Sequence, residues 1–406
     1  MRNNLYKVKL KDILSVKRGT SLSGQYYATE GNKIRLTLGN FNYPNGGFKT
    51  NTSKDNIYFS APVKREYILK KGDIITPLTE QVAGLLGETA KIPEDDLYIQ
   101  SGDIALIIPK EDKLDKGFAY YLISSKMIKY QLGAAAQQTK IRHTSPEKIE
   151  NCEAWIPSDL NSQKNIAYFL DMLNDKITLN NKINQELEQM AKTLYEYWFV
   201  QFDFPDEKGR PYKSANGKMV YNEVLKREIP EGWEVIKFDD IVEQAPKLKA
   251  IKAPDYKNQG NIPIVDQAST LITGRTDDTS YYYENERNCV VFGDVTTCFK
   301  FINFPFAKGT DGTKIINARN DRIPAVLLYQ LLKNTKLPNI GFARHYMFLR
   351  EIKLLLPPKD ICVKYYQATK GIMDLIAKNI KENYELSITR DFLLPLLMNG
   401  QVSIQG

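Results

Sequence analysis

The chain of 406 residues has only two histidines and four cysteines. Cys152, Cys289, Cys298 and Cys362 are scattered, with no C-x-x-C pair, which argues against a disulfide framework or a zinc cluster and fits a reducing compartment. No run of 18 apolar residues occurs, and the segment from Met1 to Lys11 is polar and basic, so no membrane span or secretory signal is expected and a cytoplasmic location is. Catalytic signatures are missing as well: there is no G-x-x-x-x-G-K-[ST], no G-x-S-x-G, no H-E-x-x-H and no Gly-rich dinucleotide fingerprint. The sole Pro-Pro, Pro357-Pro358, lacks the Asn or Asp before it and the aromatic after it that an adenine methyltransferase loop needs. Nuclease pieces such as Pro205-Asp206 or Pro254-Asp255 with Glu351-Ile352-Lys353 lie far apart in sequence.

What is present is a repeat. Arg142-His143 and Arg344-His345 stand 202 residues apart, and Val8 to Ile13 resembles Ile236 to Ile241 at an offset of 228. Gly72-Asp73-Ile74 and Gly293-Asp294-Val295 follow at 221. At an offset of 199, eight pairs are identical: Asp175/Asp374, Ile177/Ile376, Asn180/Asn379, Lys182/Lys381, Asn184/Asn383, Glu186/Glu385, Leu187/Leu386 and Leu194/Leu393. The ordered matches imply a duplication, each copy being a variable lobe followed by a constant rod.

The rods are legible as helices. From Asn165 to Trp198 there is no Pro or Gly, and Ile166, Leu170, Leu173, Ile177, Leu187, Ala191, Leu194 and Trp198 step by four and three, leaving Asn180 and Asn184 on the same seam. In the second rod Asn379 and Asn383 hold those places, with Thr369 and Arg390 as imperfect members. Asn on a seam costs stability but sets register, because it needs a polar partner. Two antiparallel rods would bring the Asn sets together. Pro395 is expected to kink or end the second rod, and Asn399-Gly400 to cap it.

The expected fold class is α+β: two lobes of mixed strand and helix content joined by two long antiparallel coiled-coil helices, with an internal pseudo-twofold. The domains read as 1–157 for the first lobe, 158–205 for the first spacer helix and 206–232 for a linker. The second lobe is 233–357, and the second spacer helix and its cap are 358–400. Strands are expected at Ile104–Ile108, Cys289–Phe292 and Ile352–Leu356, and helices over Phe118–Leu132 and Pro324–Lys333.

The net charge of +8 favours an anionic partner, and it is unevenly spread. Residues 14–157 carry +3 and 243–357 carry +5, whereas 158–205 carry −3, as expected if lobes touch phosphates and rods meet protein. Polar, basic, turn-rich segments supply candidates for DNA contact: Lys17, Arg18, Arg35, Gln137, Lys140, Arg142 and His143 in the first lobe. Lys249, Arg275, Thr296, Thr297, Lys300, Lys314, Arg344 and His345 are their counterparts in the second. Arg pairs with guanine and Gln or Asn with adenine in the major groove. Asn180, Asn184, Asn379 and Asn383 are the register candidates, and neither a catalytic residue nor a metal ligand emerges.

Taken in order, Ile156-Pro157, Gln163-Lys164-Asn165-Ile166-Ala167 and Asp175-Lys176-Ile177 resemble the DNA specificity subunit of type I restriction–modification systems. Pro230-Glu231-Gly232 with Trp233-Glu234-Val235, Phe292-Gly293-Asp294 to Lys300, Pro305-Phe306 and Asp311 to Lys314 are similar to pieces of that family's target-recognition domains. Val363-Lys364-Tyr365-Tyr366-Gln367 departs from the Gln-x-x-Ile-Ala entry of the first rod. The resemblance implies a non-catalytic subunit whose lobes each read half of a split target in double-stranded DNA. It implies two modification subunits, which hold S-adenosylmethionine and methylate adenine, and restriction subunits that use ATP and Mg, with no cofactor on this chain. The competing expectations are a fused nuclease or methyltransferase, and a scaffold with only non-specific DNA contact.

Overall fold

Strand Leu5–Lys9 runs antiparallel to Glu153–Pro157, with Val8 opposite Ala154, and turns Val8 inward while Lys7 and Lys9 face solvent. Glu234–Lys237 pairs in the same way with Lys353–Leu356, Ile236 opposite Leu354. The computed structural model describes residues 5–43, 46–80, 84–135, 142–246, 248–338 and 344–404. It divides into two compact units, Met1–Lys176 with Leu386–Gly406, and Ile177–Glu385.

In the first unit an antiparallel sheet has the order Leu14–Arg18, Ile104–Pro109, Ile74–Pro77, Ala90–Lys91. Its apolar face packs on helix Lys116–Ile123, where Phe118 and Leu122 are wholly buried together with Leu170 and Leu397. A second sheet has the order Tyr27–Ala28, Tyr58–Phe59, Ile34–Arg35, Tyr98–Ile99, the last pair parallel. The helical pattern read over Phe118–Leu132 is two helices, Lys116–Ile123 and Lys126–Ala135, divided at Ser124, which leaves the helical conformation as a C-cap.

The second unit repeats the strand order of the larger sheet. Its antiparallel sheet runs Val242–Gln244, Thr313–Ala318, Cys289–Gly293, Phe299–Ile302, and helix Ala325–Lys333 packs on it through Leu327, Leu328 and Leu332. Its second sheet is ordered Gly274–Thr276, Ile262–Val265, Phe306–Lys308, Tyr282–Tyr283, with a parallel central pair.

The stretch 206–232, read as a linker loop, is folded. Met219–Asn222 and Arg227–Pro230 form an antiparallel hairpin. Tyr212, Met219, Leu225 and Ile229 draw it onto a cluster of Trp198, Phe199, Phe202, Phe204, Trp233 and Tyr365. The Phe204 and Tyr212 rings stack at 4.6 Å. That apolar content outweighs the turn residues that made the segment read as loop.

The first long helix spans Leu160–Tyr195 and continues as one π turn, Glu196–Val200. Asp159 accepts the Ser162 N–H at 2.7 Å and so satisfies a free donor at its start. The second spans Lys359–Met398 with Pro395 in its interior, so regular helix does not end at the proline. The turn beyond the proline is closed by Gly400 N–H to Leu397 O and Gln401 N–H to Leu396 O. Gly400, at φ +63°, makes this a Schellman ending, while Leu397 and Met398 are buried in the first unit's core. Within the second unit the two helices are joined by amide pairs: Asn180 Nδ2 donates to Asn383 Oδ1 at 2.9 Å, and Asn379 Nδ2 to Asn184 Oδ1 at 2.8 Å. As one number rises the other falls, so the paired segments are antiparallel. No helix among the described residues is long and apolar enough to cross a membrane.

Candidate nucleic-acid interface

In the first unit three segments meet at one end of the larger sheet. Arg18 stands opposite Ala105, which stands opposite Thr76; just past the end of that strand at Pro77, Thr79 and Glu80 form a short strand that pairs with His143 and Arg142. Lys17, Arg18 and His143 are exposed and Arg142 is half-buried. Arg18 Nε donates to Gly102 O at 2.8 Å, and Arg142 reaches the buried Glu80 at 3.4 Å. Glu80 also accepts the N–H groups of Gly84 and Leu86, so it shapes the loop before strand Ala90–Lys91. Gln137 and Lys140 lie outside the described residues.

The corresponding end of the second unit is a braced turn. The chain leaves strand Cys289–Gly293 at Asp294, whose carboxylate accepts the Tyr346 N–H at 2.8 Å and lies 3.8 Å from Lys314 Nζ. Gln267 Oε1 accepts from Val295 N, and Thr296 donates its hydroxyl to Gln267 O at 2.5 Å. A Cβ on Gly293 would come within 2.2 Å of Thr296 Oγ1, so only glycine fits there. Thr297 has φ +56°, a left-handed conformation that a β-branched residue rarely adopts. Val295 and Thr296 are exposed at the tip and Thr297 is half-buried beside them; Lys314 is half-buried and Arg344 exposed.

Four of the singled-out residues are spent inside their units. Arg35 lies over the Tyr27 ring at 3.8 Å and donates to Asn56 O. Lys300 is buried, donates to Asp266 O at 2.7 Å, and has its pKa lowered by that burial. Arg275 donates to Gly260 O and covers the Tyr384 ring. His345 is buried, with Nδ1 at 3.1 Å from Asp294 O. The exposed members, including Lys249, remain the surface candidates.

The two Arg-His dipeptides are not equivalent, contrary to the reading from their spacing. His143 is on a strand, two residues before Ser145, whose hydroxyl accepts Lys148 N–H at the start of helix Pro146–Glu150. His345 itself takes the capping position of helix Tyr346–Arg350. The strand pairings Val8 with Ala154 and Ile236 with Leu354 set the offset in this region at 200, which aligns His345 with Ser145. The 202-residue coincidence has no structural counterpart.

Sequence reasoning missed a polar cluster in the first unit. Asp171 on the first long helix accepts from Lys91 Nζ at 2.9 Å and from the Tyr121 hydroxyl at 2.6 Å. Asn174 donates to that hydroxyl at 2.9 Å and accepts from Arg390 at 2.9 Å. Burial and the Asp171 carboxylate both raise the Tyr121 pKa, so this phenol is a donor at any ordinary pH. The signal was Arg390, a charge at a seam position.

Residues 3–189 match the model of the type I restriction modification DNA specificity domain. The type I restriction enzyme MjaIX specificity subunit of Methanocaldococcus jannaschii is 25% identical over 323 residues, covering 74% of this chain and 72% of that one. The HindI specificity subunit of Haemophilus influenzae is 23% identical, covering 84% and 89%. A type I restriction-modification S subunit from M. genitalium shares the fold with a TM-score of 0.57 at 16% identity, over 98% of this chain and 96% of that one. Each of these relatives is named a specificity or S subunit. Residues 3–189 thus match the type I restriction modification DNA specificity domain, and the chain is similar to the specificity subunits of type I restriction enzymes along most of its length.

Proposed function

We propose that this chain is the non-catalytic subunit that directs adenine methylation and restriction by partner subunits to a bipartite sequence in double-stranded DNA. Residues 1–157 and 233–357 each read one half-site. The long helices, within 158–205 and 358–400, act as a coiled-coil spacer whose Asn pairs fix register, and 206–232 joins the halves of an internal repeat. The observation that carries this reading is that the strand order of the matched domain's larger sheet recurs in Ile177–Glu385, with a polar, exposed sheet end in each unit.

Lys17, Arg18, Arg142 and His143 contact DNA in one half, and Lys249, Thr296, Thr297, Lys314 and Arg344 in the other. Phosphate contacts give affinity and base edges give sequence. At 1.5 Å per residue a helix of 36 residues is about 54 Å long, or about one and a half turns of DNA. Two modification subunits dock on the helices, which leave Tyr168 and Met172 in one unit and Leu179, Met190 and Tyr197 in the other exposed without a role inside them. Those subunits hold S-adenosylmethionine and take the adenine out of the stack. Restriction subunits supply ATP and Mg chemistry, and no cofactor sits on this chain.

The test is an exchange of residues 14–157 for the corresponding lobe of a relative, followed by modified-base sequencing of cellular DNA. One half of the methylated motif should change and the other should persist. A change in both halves, or methylation without a bipartite motif, would refute the reading.

A further inference from the structure

In each unit a polar cluster beside the apolar core ties a sheet to a long helix. In the second unit, strand Gly274–Thr276 supplies Arg275, whose guanidinium carbon lies 3.0 Å from the centre of the Tyr384 ring. Arg275 NH1 donates to Gly260 O at 3.2 Å, the Tyr384 hydroxyl donates to the same carbonyl at 2.9 Å, and Gly260 N–H returns a bond to that hydroxyl at 3.3 Å. One side chain from a strand and one from a helix thus close on the backbone of a single glycine. The backbone is tight as well: a Cβ on Gly260 would lie 2.9 Å from the Thr276 backbone. Arg275 is almost fully buried, so its charge is committed to this contact. In the first unit Lys91 and Tyr121 close on Asp171 with different chemistry and the same result, a lobe tied to its helix.

Resting on the specificity-subunit reading, we propose that Arg275 and Tyr384 are positioning residues that hold the second lobe at one angle on its helix and thereby make the complex strict about the length of the unread gap. An added base pair moves a half-site by about 3.4 Å and turns it by about 35°. A lobe free to swivel follows such a change, whereas a clamped lobe rejects it. The bases read within the half-site are set by the exposed turn and are unaffected by the clamp.

The test uses the full chain in its methylating complex with Arg275→Ala, Tyr384→Ala and the milder Tyr384→Phe, which keeps the ring and removes the hydroxyl bonds. Methylation at sites with the gap one base pair shorter or longer should rise about tenfold against the unsubstituted chain, the factor that about 1.4 kcal/mol of relaxed angular preference produces, with both half-site sequences kept. Tyr384→Phe should fall between. In parallel, spin labels on Asn258→Cys and Lys378→Cys, in a Cys298→Ser background, should show a broadened distance distribution in the Ala variants. A distribution as narrow as the parent's overturns the clamp whatever the complex does on DNA. A broadened distribution with an unchanged gap overturns its role in spacing. Absence of a bipartite motif with the unsubstituted chain rejects the specificity-subunit reading, and the distance measurement then decides the clamp alone.

Discussion

Asn379 donates its side-chain N–H to Asn184 Oδ1 at 2.8 Å, and both residues are buried. Neither amide has water to fall back on, so the pair is worth little as a pair and a good deal as a constraint. Asn379→Leu should destabilise the second unit by about 1–3 kcal/mol, the cost of leaving a buried amide unpaired. The double variant Asn184→Leu, Asn379→Leu should recover most of that loss, because two apolar groups replace two matched polar ones. A double-mutant cycle in denaturant unfolding checks both, and a double variant as unstable as the sum of the singles would remove the pairing from the account.

The four thiols separate by environment. Cys152, Cys289 and Cys362 are buried, and burial pushes Cys152 and Cys362 up to about 11 and Cys289 higher still. Thiolate is the reactive form, so these three should resist maleimide at neutral pH. Cys298 is half-buried, at the end of the braced turn. Native labelling should modify one thiol per chain, unfolding should release the other three, and Cys298→Ser should abolish the native reaction. If Cys298 labelling also leaves DNA affinity untouched, that turn is not at the interface.

Much of this was legible in the sequence, for identifiable reasons. The 199-residue offset in the helices survived because seam positions tolerate few side chains, and Asn180 and Asn184 marked where the two helices meet. Strands such as Cys289–Gly293 showed as apolar runs because both faces are buried. The Arg-His coincidence misled because two letters carry no register, whereas the strand pairings do. The 206–232 hairpin was hidden because Gly and Pro are local signals and the aromatic cluster holding it is not. Arg35, Arg275 and Lys300 have the composition of DNA-binding residues, and only burial distinguishes them from Lys17.

Asp159 carries a pH prediction. Its carboxylate accepts the Ser162 backbone and hydroxyl groups, and those bonds hold its pKa below the usual carboxylate value. A lowered folded pKa means the unfolded chain takes up the proton first as pH falls. The cap's contribution is therefore complete above about pH 4 and fades as the pH drops through the folded value. Asp159→Ala should cost about 0.5–2 kcal/mol at neutral pH and progressively less in acid. Urea unfolding at pH 7 and pH 3 measures it, and an equal loss at both would show that the charge plays no part.

Salt titration separates surface candidates from internal ones. Each phosphate neutralised by Lys or Arg contributes about −0.9 to the slope of log affinity against log salt concentration. Lys17→Ala removes an exposed ammonium, so it should weaken DNA binding by the assembled complex and make that slope shallower by about 0.9, with thermal stability unchanged. Lys300→Met should do the reverse. Its ammonium is buried on Asp266 O, so the substitution leaves a buried carbonyl without its donor, and stability should fall by about 1–3 kcal/mol while the slope stays as in the parent. A Lys17 variant with the parent's slope would take that residue out of the interface, and a Lys300 variant with a shallower slope but parental stability would put its ammonium at the DNA.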